Sequence, residues 1–387
     1  MSIQTHEEDI PVPQVEEYAD FPQQNLRLPG PTAVPPKVRE AMSRQMLNHR
    51  GPEFGVIVKR VTERMQYFFQ TSSRVFTHTA CGTAGQESAV VNLFSPGDHV
   101  VALIVGSFGA HFADIASAYG LKVTKVEFPW GQGADPSVVE ARLKELEPYR
   151  GVFMTHNETS TGVTNDVKTL ATIIRRLTPE ALVIVDAISS LGCIPFQMDA
   201  WDLDVVITGS QKGWMVPPGL TMIAGSKRAW EAHQFAKLPR YYLDWTATIK
   251  RLNNWQHPGT TAVPLFYGLD VSLQMMLDEG REAIFARHAQ AGKFIRERVQ
   301  QMGLELLADP RYASNTVTAV LAPEGIEVQV LLDILRERDG VVFAGGQAHM
   351  MNKLFRIGHL GFFSHEELVA AMDALEKRLH KFLSYDN

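Results

Sequence analysis

HVVALIVGSFGAHFADIASAYGLKVTKVEF, residues 99–128, sets two strand-length apolar runs on either side of an amphipathic segment of helix length. The same alternation recurs downstream. DPSVVEARLKELEPY precedes GVFMTH (151–156), VKTLATIIRRLT leads into ALVIVDA (181–187), and DLDVVITGS follows at 202–210. Continuous apolar strands separated by helix-period segments predict an α/β fold, a mostly parallel sheet covered by helices on both faces. Ligands of such sheets bind at the carboxyl ends of the strands, so that is where chemistry is sought. Beyond about Val271 the texture changes. A long helical stretch precedes short strands in SNTVTAVLA and KLFRIGHLG, and a last helix opens at Ser364 with Glu367 three residues on, the capping-box spacing. This predicts an acidic N-terminal arm over residues 1–25, a large α/β domain over 26–270 and a smaller α+β domain over 271–387.

Composition narrows the class. The chain has 387 residues, 45% hydrophobic and 21% charged, with a formal net charge of −6. A mild charge without a basic stripe implies no nucleic-acid partner. Cys81 and Cys193 are too few for a disulfide framework or a zinc site, and the histidines show no metal-ligand spacing. The N-terminus is acidic and proline-bearing, unlike a signal or transit peptide, and no apolar run reaches membrane-spanning length. A cytoplasmic protein without a structural metal is expected.

Four features fall at strand ends or helix starts. Lys212 stands alone in the small neutral loop GSQKG (209–213). It is either an exposed loop lysine or a desolvated amine of lowered pKa, able to attack a carbonyl. Asp186 closes the run ALVIVD; it is either a structural pairing or cap, or an acid facing a protonated heterocyclic nitrogen. Cys81, Gly82 and Thr83 run into an apolar-periodic helix, an ordinary helix start or an anion site. Arg356 lies within an apolar strand, as half of an internal salt bridge or as a clamp for a substrate carboxylate. Pyridoxal phosphate uses all four at once: its aldehyde a lysine, its ring nitrogen an acid, its phosphate a helix start. An amino-acid substrate adds the need for the arginine.

The motifs LPGPTAVPPKVREAM, NHRGPEFG, VNLFSPGD, ETSTG, VDAISSLG and GSQKG…PPG follow one another in this order. From about Leu28 to Phe382 the sequence resembles the class V, fold type I pyridoxal-phosphate aminotransferases, in particular the alanine–glyoxylate and serine–glyoxylate (serine–pyruvate) group. The resemblance implies that Lys212 forms the Schiff base with the cofactor, with Gln211 beside it on the phosphate. Asp186 would hold the pyridinium. Cys81, Gly82 and Thr83 match the phosphate turn, Phe108 the aromatic that stacks on the ring, and Thr159 a hydroxyl near the ring's phenolic oxygen. Gly30 would line the substrate pocket and Arg356 bind the substrate carboxylate. In HPGTTAVPLFYGL, Thr260 falls on a threonine that reaches the neighbouring subunit's phosphate, and His257 stands where the family commonly has tyrosine. A homodimer with shared active sites follows from that segment.

The activity implied is transfer of an amino group from alanine or serine to a 2-oxo acid such as glyoxylate or pyruvate. A lyase or cysteine desulfurase on the same fold is the alternative, although desulfurases need a cysteine on a small-domain loop and commonly stack a histidine on the ring. A non-catalytic subunit retaining the fold is the third reading.

Overall fold

The computed structural model describes residues 23–384. Of the arm expected over residues 1–25, residues 1–22 lie outside the described residues. Asn25 and Leu26 pair in parallel with Val341 and Val342, late in the chain.

The alternation read from residues 99–210 builds a seven-stranded sheet. Its strands are β1 (Val75–His78), β2 (His99–Ile104), β3 (Lys122–Glu127), β4 (Gly151–Thr155), β5 (Leu182–Asp186), β6 (Val205–Gly209) and β7 (Thr221–Gly225). They lie in the order β1-β7-β6-β5-β4-β2-β3. Pairs from β3 across to β6 are parallel. β7 runs opposite to both its neighbours. The reason is connection length: a helix crosses over between β2 and β3, β3 and β4, and β4 and β5, and residues 187–204 link β5 to β6, whereas β7 follows β6 after only the short 210–220 loop.

The helices of this layer include α1 (Pro52–Phe69), α2 (Gly82–Leu93), α3 (Ser107–Ala118), α4 (Pro136–Lys144) and α5 (Val167–Leu177). α2 presses closely on the sheet. A Cβ on Gly85 would collide with Thr221 and come within 2.6 Å of Ile207 Cγ2, so this turn admits only glycine without movement. α3 buries Phe112, which stacks on Phe153 of β4 at 4.5 Å between ring centroids. Burying a ring of that size contributes about 1.5–3 kcal/mol.

α6 (Val263–Glu279) crosses residue 270 and places Leu273 and Met276 in the larger hydrophobic core, which runs from Val38 to Ile284. A second core begins at Ala291 in α7 (Arg281–Gln301) and ends at Leu379. It holds α8 (Val328–Asp339), α9 (His365–Ser384) and an antiparallel sheet of β8 (Val317–Leu321), β9 (Ala344–Gly345) and β10 (Leu354–Gly358). The capping box forms as read: Glu367 N–H donates to Ser364 Oγ at 3.2 Å, and Ser364 N–H to Glu367 Oε2 at 3.0 Å.

One buried acid ties the amino-terminal side of the sheet together. Asp204 is fully buried, accepts Val183 N–H at 2.8 Å and Ser226 Oγ–H at 2.7 Å, and pairs with Arg175 and Arg228. Removing it leaves the Val183 amide and the Ser226 hydroxyl without this acceptor and takes from Arg175 and Arg228 their buried carboxylate, leaving them the more exposed Asp202. Asp204→Ala is expected to cost about 3–5 kcal/mol in urea unfolding; a loss below 1 kcal/mol would refute this account of the cluster.

Candidate active site

The chemistry-bearing residues collect where parallel strands end. Turn 79–83 follows β1, Gly106 to Phe108 follow β2, Asn157 to Thr159 follow β4, Asp186 ends β5, and Gln211 and Lys212 follow β6. These segments surround one cleft of about 570 Å³, counting the space at its open mouth. Cys81, Gly82, Thr83, Phe108, Thr159, Asp186, Gln211 and Lys212 all face it.

Lys212 is partly buried, and its ammonium donates to the carbonyl oxygen of Pro29 at 2.6 Å. The strand-to-loop segment around it is held by Thr32, whose N–H donates to Gln211 O and whose hydroxyl donates to Lys212 O, both at 3.0 Å. Gly30 lies against the lysine stem. A Cβ there would stand 2.5 Å from Nζ, and its φ of +135° suits glycine as well. Burial, with the nearby Arg356 charge, brings the Lys212 pKa down to about 8. The amine is therefore a far better nucleophile near neutral pH than a surface lysine. The exposed-lysine alternative does not hold.

Asp186 is buried and held at both oxygens. Oδ2 accepts from Gln86 Nε2 at 2.7 Å and Oδ1 from the Ile188 N–H at 2.8 Å. Burial pushes its pKa up to about 7, against the hydrogen bond from Ile188. Such an acid gains most from a cationic hydrogen-bond partner.

Two helices start at this cleft, and they differ. α2 begins at Gly82 with Cys81 as N-cap, and no side chain caps it, so its first N–H groups are open to an anion. Its N–H groups also pull the Cys81 thiol pKa down, Ala84 foremost. α3, which carries Phe108, is capped from outside by Glu158: Oε2 accepts the N–H groups of Phe108 and Gly109, each at 3.0 Å.

Arg356, on β10 of the second core, reaches the same place. Its Nε donates to Gly345 O at 2.9 Å and Nη1 to Thr159 O at 3.2 Å. Among the described residues no carboxylate lies within 4 Å of its guanidinium, so the internal salt bridge is not what it serves. Burial brings its pKa down to about 10.

His257 and Thr260 stand apart. They line a second pocket with Thr77, His78, Thr79 and Tyr242. His257 is buried and its Nε2 has no partner among the described residues, while Thr260 is exposed. Sequence reasoning missed Gln86, Glu158 and the Pro29 carbonyl. Gln86 lay in plain view one turn into the helix after the 81–83 turn, and Glu158 opens the motif ETSTG. Nothing in the sequence points to a backbone carbonyl.

Comparison with known proteins agrees with this geometry. The sequence model of the family described as aminotransferase class V matches residues 26–370. A Synechococcus protein named soluble hydrogenase, small subunit, is 39% identical over 94% of both chains. An L-aspartate–glyoxylate aminotransferase of Paracoccus denitrificans is 37% identical over 88% of this chain and 87% of its own. A serine–glyoxylate aminotransferase of Arabidopsis thaliana is 35% identical, covering 91% and 89%. The crystal structure of an alanine–glyoxylate aminotransferase from Nostoc sp. superposes with a TM-score of 0.89 at 28% identity, covering 95% and 97%. With a match spanning both cores, the chain belongs to the class V aminotransferases.

Proposed function

We propose that this aminotransferase binds pyridoxal phosphate at Lys212 and moves an amino group from alanine or serine to glyoxylate or pyruvate. The carrying observation is one cleft that joins a lysine of depressed pKa, a buried acid and an uncapped helix start, with Arg356 hydrogen-bonded to the carbonyl of its lining residue Thr159. The residues present fit that cofactor. The first N–H groups of α2 have no side-chain cap among the described residues and suit a phosphate, and Gln211, whose amide N–H can donate to it, lines the same cleft.

Bound pyridoxal phosphate supplies an aldehyde that takes up the amino group and a ring that accepts the electron pair left when Cα loses its proton. The chain's own residues do the rest. Lys212 Nζ, once exchanged for the substrate amine, takes the Cα proton and gives it back, as general base and then acid. Asp186 keeps the ring nitrogen protonated, with Gln86 and Ile188 N–H fixing its direction. Gly82 and Thr83 N–H groups would hold the phosphate together with Gln211, and Phe108 and Thr159 line the cleft where they would meet the ring.

Arg356 would take the substrate carboxylate. Loss of a charge-assisted, two-pronged contact of this kind costs about 1.5–3 kcal/mol, so Arg356→Ala is expected to lower kcat/KM roughly 10- to 150-fold, mostly through KM. Steady-state kinetics with L-alanine and glyoxylate check this; an unchanged KM would remove Arg356 from the role.

A small donor is favoured by the likeness to the serine–glyoxylate and alanine–glyoxylate aminotransferases. Turnover of L-alanine, L-serine and L-aspartate against glyoxylate and pyruvate tests the choice; a strong preference for aspartate would overturn it. The desulfurase alternative lacks its thiol. Cys193 is buried and its thiol pKa is pushed up to about 12, and Cys81 sits on the phosphate turn. The non-catalytic reading leaves Lys212, Asp186 and Arg356 converging for no purpose.

The protein is further proposed to work as a cytoplasmic homodimer, with Thr260 of one protomer reaching the phosphate of its partner. The exposure of Thr260 supports this, while the buried side chain of His257 argues against a direct contact from that residue. Among the described residues no helix is long and apolar enough to cross a membrane.

A further inference from the structure

We propose that Glu158 is a positioning residue, whose carboxylate locks the first turn of α3 and so fixes the ring of Phe108 against the bound cofactor. The proposal rests on the cofactor reading above. Glu158 is 0% exposed, and among the described residues no cation lies within 4 Å of its carboxylate. A buried carboxylate without a counter-ion needs hydrogen-bond donors. Every donor it has belongs to one small knot. Oε2 accepts Phe108 N–H and Gly109 N–H, each at 3.0 Å, and Oε1 accepts Ser160 N–H at 3.1 Å and Ser160 Oγ–H at 2.7 Å. Ser160 Oγ, itself fully buried, in turn accepts Ser107 N–H at 2.9 Å.

Three successive N–H groups of α3, those of Ser107, Phe108 and Gly109, thus end on Glu158 and Ser160. These are the donors a helix start leaves unpaired, and a carboxylate there also meets the positive end of the helix dipole. Gly106 leaves room for the knot: a Cβ on it would lie 2.5 Å from Glu158 Cγ and collide with Ser160. Phe108 therefore projects into the cleft from a backbone anchored at its own nitrogen. Burial raises the carboxyl pKa and the donors from α3 and Ser160 oppose it, which is consistent with an acid kept for its hydrogen bonds.

An alternative role for Glu158 is its charge, since it lies near Lys212, Asp186 and Arg356. Glu158→Gln separates the two, because the amide keeps the shape and an oxygen acceptor for Phe108 and Gly109 and carries no charge, while its NH2 turns to Ser160, whose hydroxyl accepts from it and whose N–H alone loses an acceptor. Binding of pyridoxal phosphate to the cofactor-free protein is measured for wild type, F108A, E158A, E158Q and the double variant F108A/E158A. Loss of an aromatic contact is worth up to about tenfold, so F108A and E158A are each expected to raise Kd about 10-fold and the double variant about 10-fold as well. E158Q is expected to stay within about threefold of wild type. A double variant near 100-fold, the product of independent sites, overturns the proposal, as does an E158Q as damaging as E158A.

Hydrogen exchange supplies a reading without cofactor. In the cofactor-free protein, amides 107–109 are expected to exchange at least about 10-fold faster in E158A and at near wild-type rates in E158Q. Unchanged exchange in E158A overturns the anchor. If E158A does not fold, Ser160→Ala, which removes the acceptor of Ser107, carries the same test with about a threefold acceleration. Wild-type protein that fails to bind pyridoxal phosphate would overturn the cofactor reading, and exchange would still judge the anchor separately.

Discussion

Lys212→Ala is expected to lower transamination of L-alanine or L-serine with glyoxylate by about 10⁴-fold, the upper end for a positioned acid–base group. The lining of the cleft contains a single amine, and its neighbours are shaped around it: Gly30 makes room for its stem, Pro29 O receives its ammonium, and Thr32 fixes its backbone. His111 also lines the cleft, but an imidazole there cannot form the covalent link to an aldehyde that Lys212 offers. The loss should therefore appear in kcat, with the visible absorption of the lysine-bound cofactor gone as well. Pyruvate formation from L-alanine measures the first and a spectrum of the purified variant the second. A variant that keeps more than about a tenth of wild-type turnover would sink the assignment.

Asp186→Asn is expected to cost about 10²- to 10³-fold in kcat, the scale seen when an oriented electrostatic contact to a developing charge is removed. The substitution is nearly isosteric, so Ile188 N–H retains an oxygen acceptor. What disappears is the negative charge that would face the ring nitrogen of the proposed cofactor, on a side chain that Gln86 holds in place. A change confined to charge should leave the fold intact, and it should fall mainly on kcat. Steady-state kinetics together with a melting curve make the check. Loss of activity that merely follows loss of folding would count against an electronic role.

Much of this was legible in the sequence because the relevant physics is local. Apolar runs of strand length, separated by helix-period segments, fixed where β2 to β6 lie, and the rule about carboxyl ends then pointed to Asp186 and Lys212. The antiparallel β7 was not legible in the alternation itself; it follows from a connection too short to cross over. Contacts between distant residues were also hidden. Gln86 meets Asp186 across 100 positions, and Glu158 meets Phe108 across 50, so no window of sequence contains either pair. Arg356 was visible as an oddity in an apolar strand, yet only the fold brings it to Thr159, 197 residues away. His257 and Thr260 lie in a separate pocket, so the contact with the cleft that the family resemblance implies for them is not made within one chain.

The assignment of Lys212 as the covalent attachment point is tested most directly by reduction of the purified protein with borohydride, followed by peptide mass spectrometry. The account predicts a pyridoxyl-phosphate mass addition on the peptide containing Lys212, and its disappearance when excess L-alanine is added before reduction. An adduct on a different lysine, or none in protein saturated with pyridoxal phosphate, would contradict it.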